Sequence, residues 1–153
     1  MDLSDSLVPD ADYSRFFESP ALAASYPGLM IPPPSFVSSG AKILSFRSGE
    51  SIALAFLVRE YQLNPIGTLQ GGILCAFFDD AFGCLAFASL SRPCVSISLA
   101  IDFIRAIARG EHVIVRAEFK SKGRNVIHLA AEARNAKGKL AATAMSSLQV
   151  VSG

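Results

Sequence analysis

The stretch that decides the fold covers residues 64–90 and reads NPIGTLQGGILCAFFDDAFGCLAFASL. Its last twenty residues, 71–90, contain no proline, and their only charges are Asp79 and Asp80. This composition predicts a helix that is apolar on nearly every side, so other parts of the chain must wrap it. The length would also suit a membrane span, but a central aspartate costs about 2.5–3.5 kcal/mol on insertion. We therefore predict a buried helix of a soluble protein.

Segments rich in apolar and β-branched residues flank this helix, with glycine-containing turns between several of them. They predict strands at 41–47, 50–60, 94–104, 112–120, 125–134 and 140–151, with turns at 48–49, 122–124 and 136–139. One antiparallel sheet of five or six strands wrapped around the long helix satisfies this order, which is an α+β fold. The outer strand faces and edges would still need cover, so we expect a dimer.

Segment 94–104 has the most regular alternation in the chain. Regular alternation places every second side chain on the same face of a strand. It predicts one face with Val95, Ile97, Leu99, Ile101 and Phe103, and an opposite face with Ser96, Ser98, Ala100 and Asp102.

Residues 1–40 differ from the rest and are interpreted as an N-terminal helical or extended segment that packs on a domain over 41–153. Residues 10–26 are compatible with a helix that Pro27-Gly28 would end. Pro32-Pro33-Pro34 predicts a stiff extended connector.

Composition excludes several classes of protein. The chain has 153 residues, 51% hydrophobic and 18% charged, and a formal net charge of +1, which fits one globular domain and argues against nucleic-acid or membrane partners. Cys75, Cys84 and Cys94 are an odd number without metal-ligand spacing, so we expect thiols in a reducing compartment and no metal. The first residues lack a secretory pattern, and we expect a cytoplasmic location.

Two features of the helix point to chemistry. Gly71 and Gly72 would expose amide N–H groups at the positive end of the helix dipole, which can polarise a carbonyl oxygen; alternatively they only permit close packing. Burial would raise the pKa of Asp79 or Asp80 and suit acid–base work, unless the aspartate faces solvent or an interface. Neighbouring helical residues point about 100° apart, so we expect one catalytic and one structural aspartate.

The spacing of these features constrains the site. Gly71 and Asp79 are eight residues apart, which is about 12 Å along a helix axis. A carbonyl group held at the helix start therefore cannot reach Asp79 of the same helix. The two features can cooperate only if Asp79 comes from a second, antiparallel copy of the helix, which predicts an active site shared across a homodimer.

The run NPIGTLQGG, followed after six residues by DDAFG, resembles the signature of hotdog-fold thioesterases of the PaaI-like, phenylacetate-degradation-type group. VSISLAIDFIRA is similar to the third-strand segment of that family, and GKLAATA to its last hairpin, so the resemblance covers about residues 41–151. It implies a hotdog fold whose sheet continues across a dimer. It also implies hydrolysis of acyl-CoA by a homodimer or dimer of dimers, without a cofactor because coenzyme A is part of the substrate.

The resemblance also implies roles at matching positions. Asp79 would be the general base or nucleophile, Gly71 the amide that polarises the thioester carbonyl, and Asn64 the side chain that places the attacking water. Residues implied in substrate binding are Gln70, Gly72, Ser96, Asp80, Lys122, Gly123 and Arg124. Ser96 would lie near the catalytic carboxylate. The turn at 122–124 would approach the nucleotide phosphates, or be an ordinary solvated turn.

One departure concerns Gln70, which stands where the family usually has histidine. Glutamine cannot titrate, but it can hold the substrate carbonyl or brace the loop. A hydratase or dehydratase is disfavoured because neither the helix nor its preceding loop contains histidine, and His112 and His128 are interpreted as structural. A non-catalytic acyl-CoA-binding protein is the remaining alternative.

Overall fold

Six antiparallel strands form one sheet, and a twenty-residue helix lies against it, in the computed structural model that describes residues 24–152. The strands are β1 (Lys42–Arg47), β2 (Ser51–Leu57), β3 (Cys94–Phe103), β4 (His112–Lys122), β5 (Val126–Asn135) and β6 (Leu140–Val150). Their order across the sheet is β1-β2-β4-β5-β6-β3. The helices are α1 (Pro34–Ser39) and α2 (Gly71–Leu90). This confirms the predicted single sheet with a long central helix.

Turn residues explain where most strands end. Gly49 and Gly138 have φ angles of 72° and 73°, a conformation that suits glycine. The amide of Gly138 donates to the Asn135 carbonyl at 2.8 Å and closes the β5–β6 hairpin. The second strand ends at Leu57, three residues before the predicted end, because a 3-10 helix forms at Glu60–Gln62.

The segment before β1 differs from the prediction. Instead of a fully extended connector, Pro34 starts α1, in keeping with the preference for proline in the first turn of a helix. The helix ends at Gly40, which is left-handed with a φ of 69°. Phe36 is 3% exposed and joins the core. The predicted helix over 10–26 lies almost wholly outside the described residues.

Helix α2 packs on β2, β3 and β4 through one broad face. Its buried side chains are those of Leu74, Phe77, Phe78, Ala81, Phe82, Cys84, Leu85 and Ala86. By length and composition alone α2 could cross a membrane, but its packing against the sheet is that of a core helix. Only 44% of its most apolar window is buried, so residues 24–152 of one copy do not achieve the predicted complete wrapping.

The uncovered part of α2 is a narrow stripe. Gly72, Ala76 and Asp79 are its exposed residues, and their spacing places them on one helical face. Two of the three have small side chains or none, which would permit another helix to approach closely. We call this surface the open stripe.

Strand β3 corrects the predicted alternation. A register shift between Ser96 and Ser98 inserts a β-bulge at Ile97, and a bulge reverses the side on which the following residues point. Ser96 therefore lies opposite buried Leu148, on the same face of the sheet as Leu99. The prediction that Ser96 shares a face with Ser98 is wrong.

The same strand forms an edge of the sheet. Three of its apolar side chains are more than half exposed, namely Val95, Ile97 and Phe103. An apolar edge strand is a template for pairing with another strand. Residues 24–152 therefore leave both a sheet edge and the open stripe without cover.

Packing around α2 makes a stability prediction. Leu85 is fully buried, and Leu85→Ala should lower the free energy of unfolding by about 2–5 kcal/mol because it leaves a cavity. Denaturant unfolding followed by circular dichroism measures the change. The control Val37→Ala, at a side chain that is 60% exposed, should stay within about 0.5 kcal/mol of the parent. Equal effects of the two substitutions would contradict the assigned core.

Candidate active site

The loop before α2 is organised by Asn64. Its Oδ1 atom accepts hydrogen bonds from the amides of Ile66 at 3.1 Å and Thr68 at 3.0 Å. Its Nδ2 atom donates to the Thr68 hydroxyl at 2.8 Å. The structure thus shows Asn64 shaping the turn that leads to the helix, and its role in placing water stays a prediction.

Gln70 caps the helix. Its Oε1 atom accepts a hydrogen bond from the Ile73 amide at 2.9 Å, which satisfies one of the amides left unpaired at a helix start. Its backbone amide donates to the Gln62 carbonyl at 2.9 Å. Of the two roles expected for Gln70, the structure shows the bracing one.

Gly71 and Gly72 are the first two residues of α2, and their amides have no acceptor within residues 24–152. Packing also restricts both positions. A Cβ atom at Gly71 would lie 3.2 Å from the Phe103 ring, and one at Gly72 would lie 2.9 Å from Oε1 of Gln70. The glycines therefore permit close packing and also leave two N–H groups unpaired at the positive end of the helix.

Asp79 lies on the open stripe and contacts β3. The Ser96 hydroxyl donates to its Oδ1 atom at 2.6 Å, a short charge-assisted hydrogen bond. The bulge at Ile97 makes this contact possible because it turns Ser96 toward α2. The structure thus brings Ser96 and Asp79 together, as the resemblance implied, and orients one carboxylate oxygen while the other can accept further bonds.

Asp80 has a different environment. Its pKa is raised to about 6, mainly by burial and also by the charge of Asp79, while hydrogen bonds from Ser39 and Ser35 lower the pKa and offset part of the rise. The Ser39 hydroxyl also lies 2.8 Å from the Phe36 carbonyl, so its single hydrogen has two acceptors within reach. We expected burial to raise the pKa of a catalytic carboxylate, but in the structure this effect falls on Asp80, which joins α1 to α2.

The turn at 122–124 lies far from the start of α2. Lys122 donates from Nζ to the Gly49 carbonyl at 2.8 Å and lies over the Phe119 ring. The Gly49 amide in turn donates to the Ser89 hydroxyl, near the last residues of α2. The helix is about 30 Å long, so within one chain this turn and Gly71 cannot contact one small group.

Gly123 has a structural reason to be glycine. Its amide donates to the Val126 carbonyl at 3.0 Å. A Cβ atom there would lie 2.5 Å from the same carbonyl oxygen, so no side chain fits without a backbone shift. Arg124 is exposed at this turn, and its proposed contact with phosphates stays a prediction.

A cavity of about 240 Å³ lies beside Asp79, between α2 and residues 29–36. Phe87 lines it, whereas Phe77, Phe78 and Phe82 are core residues with at most 1% exposure. The segment that covers the cavity has no periodic pattern, so the sequence alone could not place it there. Within residues 24–152, no three His, Cys, Asp or Glu side chains are grouped as a metal site requires.

Comparison with known proteins agrees with this architecture. The thioesterase superfamily model matches residues 66–142, which is half of the chain. A relative from Archaeoglobus fulgidus, provisionally named an esterase, is 28% identical over 104 residues. That match covers 68% of this chain and 66% of the relative.

Solved structures show the same fold. The E. coli PaaI protein of the phenylacetic acid degradation operon superposes with a TM-score of 0.75 at 21% identity, over 80% of this chain and 87% of that one. A phenylacetic acid degradation-related protein of Ralstonia eutropha JMP134 is 29% identical with a TM-score of 0.73, over 84% and 98%. A Streptococcus mutans protein bound to acetyl-CoA is 16% identical with a TM-score of 0.70, over 82% and 95%.

These similarities agree with the motif from Asn64 to Asp80, the six-stranded sheet and the long central helix. The family match begins at Ile66, after Asn64, and includes the helix start, both aspartates and Ser96. The chain therefore belongs to the thioesterase superfamily, in the PaaI-like group of hotdog-fold proteins.

Proposed function

We propose that this protein hydrolyses an acyl-CoA thioester to the free acid and coenzyme A, in a site shared by two copies of the chain. The observation that carries the proposal is the Asp79–Ser96 hydrogen bond of 2.6 Å on the open stripe of α2. A carboxylate with one oxygen held and the other available is suited to activate water or to attack a carbonyl. Membership of the thioesterase superfamily supports this chemistry.

The reaction needs a hydrogen-bond donor that stabilises the carbonyl oxygen of the thioester. The unpaired amides of Gly71 and Gly72 would hydrogen-bond that oxygen as it becomes negative. Asp79 would take a proton from water while the water oxygen bonds to the carbonyl carbon. The C–S bond then breaks, and the proton passes to the sulfur of coenzyme A. In the nucleophilic variant, an Asp79 oxygen bonds to the carbonyl carbon and the C–S bond breaks to release the coenzyme A thiolate. Water then hydrolyses the resulting anhydride, which returns Asp79 as a carboxylate, frees the acid and supplies the proton for the thiolate.

A second copy is required because the two groups are about 12 Å apart on one helix. The exposed apolar edge of β3 offers the contact. If two β3 strands paired antiparallel about their midpoints, Phe103 of one copy would lie opposite Cys94 of the other. The Phe103 ring lies beside Gly71, 3.2 Å from where a Cβ atom would be, and Ser96 lies two residues after Cys94. Such pairing would place each helix start near the Asp79 of the other copy and extend the sheet across a homodimer.

This arrangement also gives the turn at 122–124 a role. The turn lies by the end of its own α2, which an antiparallel partner helix would place near the partner's helix start. Lys122 and Arg124 would then face the phosphates of coenzyme A. The Streptococcus mutans neighbour bound to acetyl-CoA supports this substrate class. The assembly would be this homodimer or a dimer of dimers. A cytoplasmic location completes the proposal, supported by three unpaired cysteines.

Separate substitution of the two aspartates is the first test of the mechanism. Asp79→Asn should lower the turnover of acyl-CoA at least about a hundredfold, because general-base or nucleophilic chemistry is lost. Asp80→Asn should retain turnover within about tenfold, since Asp79 and not Asp80 is the carboxylate proposed to activate water or attack the carbonyl. Release of free thiol is measured with a colorimetric reagent, and the mass in solution confirms assembly. Loss of activity in Asp80→Asn alone would mean that Asp80 is the essential carboxylate. Binding without turnover in the parent protein would indicate a non-catalytic acyl-CoA-binding protein.

The helix start offers a second test, which removes the amide N–H of residue 71 and adds a proline ring beside Phe103. Gly71→Pro removes the amide N–H, while proline is favoured at the first helical position. Gln70 has φ −68° and ψ 134°, which is the conformation preferred before proline. We expect about a hundredfold loss of kcat with little change in the helical circular dichroism.

Mixing variants tests whether the site is shared. Asp79→Asn and Gly71→Pro should each be inactive alone. In a mixed dimer, one site combines the intact Asp79 of one copy with the intact Gly71 of the other. Random exchange of subunits should then restore about a quarter of the parent activity. No recovery in verified mixed dimers would contradict a shared site.

The environment of Asp80 predicts a pH dependence of stability. Its folded pKa is about 6 against an ordinary value of 3.8, so folding favours the protonated form. The protonated carboxyl group of Asp80 therefore favours the folded state below about pH 4, and this contribution to stability is lost as the pH rises through about 6. The gain in melting temperature from Asp80→Asn should therefore be larger at pH 8 than at pH 5. The control Asp102→Asn, on an exposed carboxylate, should show no such difference, and an equal gain at both pH values for Asp80→Asn would refute the assigned burial.

A further inference from the structure

The cavity beside Asp79 has one polar end. It lies between α2 and the segment 29–36, and the lining residues with polar oxygen-bearing side chains are Asp79, Asp80 and Ser35. The remaining lining is largely apolar and includes Met30 and Phe87. A hydrocarbon group with a carbonyl at one end has the same distribution of polarity.

Three residues of α2 set the shape of this cavity. Asp79, Gly83 and Phe87 all line it and follow one another at intervals of four residues. Residues at that interval lie on one face of a helix, about one turn apart. The carboxylate is therefore at one end, the aromatic ring is at the other, and the residue between them has no side chain.

No other side chain of residues 24–152 fills the space above Gly83. A Cβ atom built there would meet no atom within 4 Å, so close packing does not require glycine at this position. A glycine inside a helix is less stable than alanine by about 1 kcal/mol. The absence of a side chain thus enlarges the cavity at some cost in helix stability.

The volume limits what can enter. An apolar cavity of about 150 Å³ is enough to bind benzene, and this cavity has about 240 Å³. It can hold a group the size of an aromatic ring with a few further carbon atoms, or a medium or branched chain of that volume. A long straight fatty chain would exceed it.

We propose that this cavity binds the acyl group of the substrate, and that Gly83 is the specificity-determining residue that admits compact acyl groups. The inference rests on the proposed thioesterase function. The thioester carbonyl would lie at the Asp79 end, with the hydrocarbon above Gly83 and against Phe87. Substrates would be acyl-CoAs with acyl groups of about six to eight carbons, including aryl groups, and not long-chain acyl-CoAs.

The test compares substrate selectivity in the full-length protein. Thiol release gives kcat/KM for acetyl-CoA, hexanoyl-CoA, phenylacetyl-CoA and palmitoyl-CoA in the parent, Gly83→Ala and Gly83→Leu. The parent should prefer the two compact substrates to palmitoyl-CoA. Gly83→Leu should lower the ratio of hexanoyl-CoA to acetyl-CoA by at least about tenfold, and Gly83→Ala should lower it less, since added methyl groups fill the cavity.

A matched control adds the same bulk elsewhere on the helix. Ala88 does not line the cavity, so Ala88→Leu should leave the selectivity ratio within about twofold of the parent. An unchanged ratio in both Gly83 variants, or an equal change in Ala88→Leu, would overturn the assignment of the acyl cavity. Gly83→Ala keeps the test valid if Gly83→Leu fails to fold, because alanine favours the helix.

A binding measurement separates this inference from the proposed function. Calorimetry with the same acyl-CoAs is carried out on Asp79→Asn, with and without Gly83→Leu. A loss of affinity for hexanoyl-CoA relative to acetyl-CoA supports the acyl cavity even if the parent hydrolyses nothing, which would reject only the hydrolase function. Equal affinities in the two variants would reject the cavity, whatever the parent hydrolyses.

Discussion

Two adjacent carboxylates in the middle of an apolar helix are the constraint on which the rest of this structure depends. Neither can be buried without compensation, and their directions differ by about 100°. Asp80 lies under α1, where two serines contact it and burial raises its pKa to about 6. Asp79 stays on the open stripe and accepts a hydrogen bond from Ser96. One helix thereby carries a packing contact and a reactive group at consecutive positions.

The surface available for dimerisation is also the surface that carries the candidate catalytic residues. The open stripe of α2 and the apolar edge of β3 are both uncovered in one copy, and Asp79 and Ser96 lie where the two meet. A second copy that covered both would exclude water from the carboxylate and strengthen its interaction with nearby N–H groups. Dimerisation would then complete the site as well as bury apolar area.

Much of the fold could be predicted because its signals are local. The bounds of α2 agree at both ends with the uninterrupted apolar run, and the hairpins follow from glycine turns. The face of Ser96 could not be predicted from alternation, because the bulge at Ile97 depends on pairing with β6. The resemblance to the PaaI-like thioesterases placed Ser96 near Asp79 correctly, because the sequence pattern of that family already reflects irregularities such as the bulge.

The sequence by itself determined the succession of strands along the chain, the central helix with two glycines at its start, and the presence of two aspartates. These features depend on periodicity and turn chemistry within a few residues. Tertiary structure alone decided which aspartate faces α1, how residues 29–36 cover a cavity above Gly83, and how far the turn at 122–124 lies from Gly71. Those outcomes depend on contacts between residues distant in the chain, which no local pattern encodes.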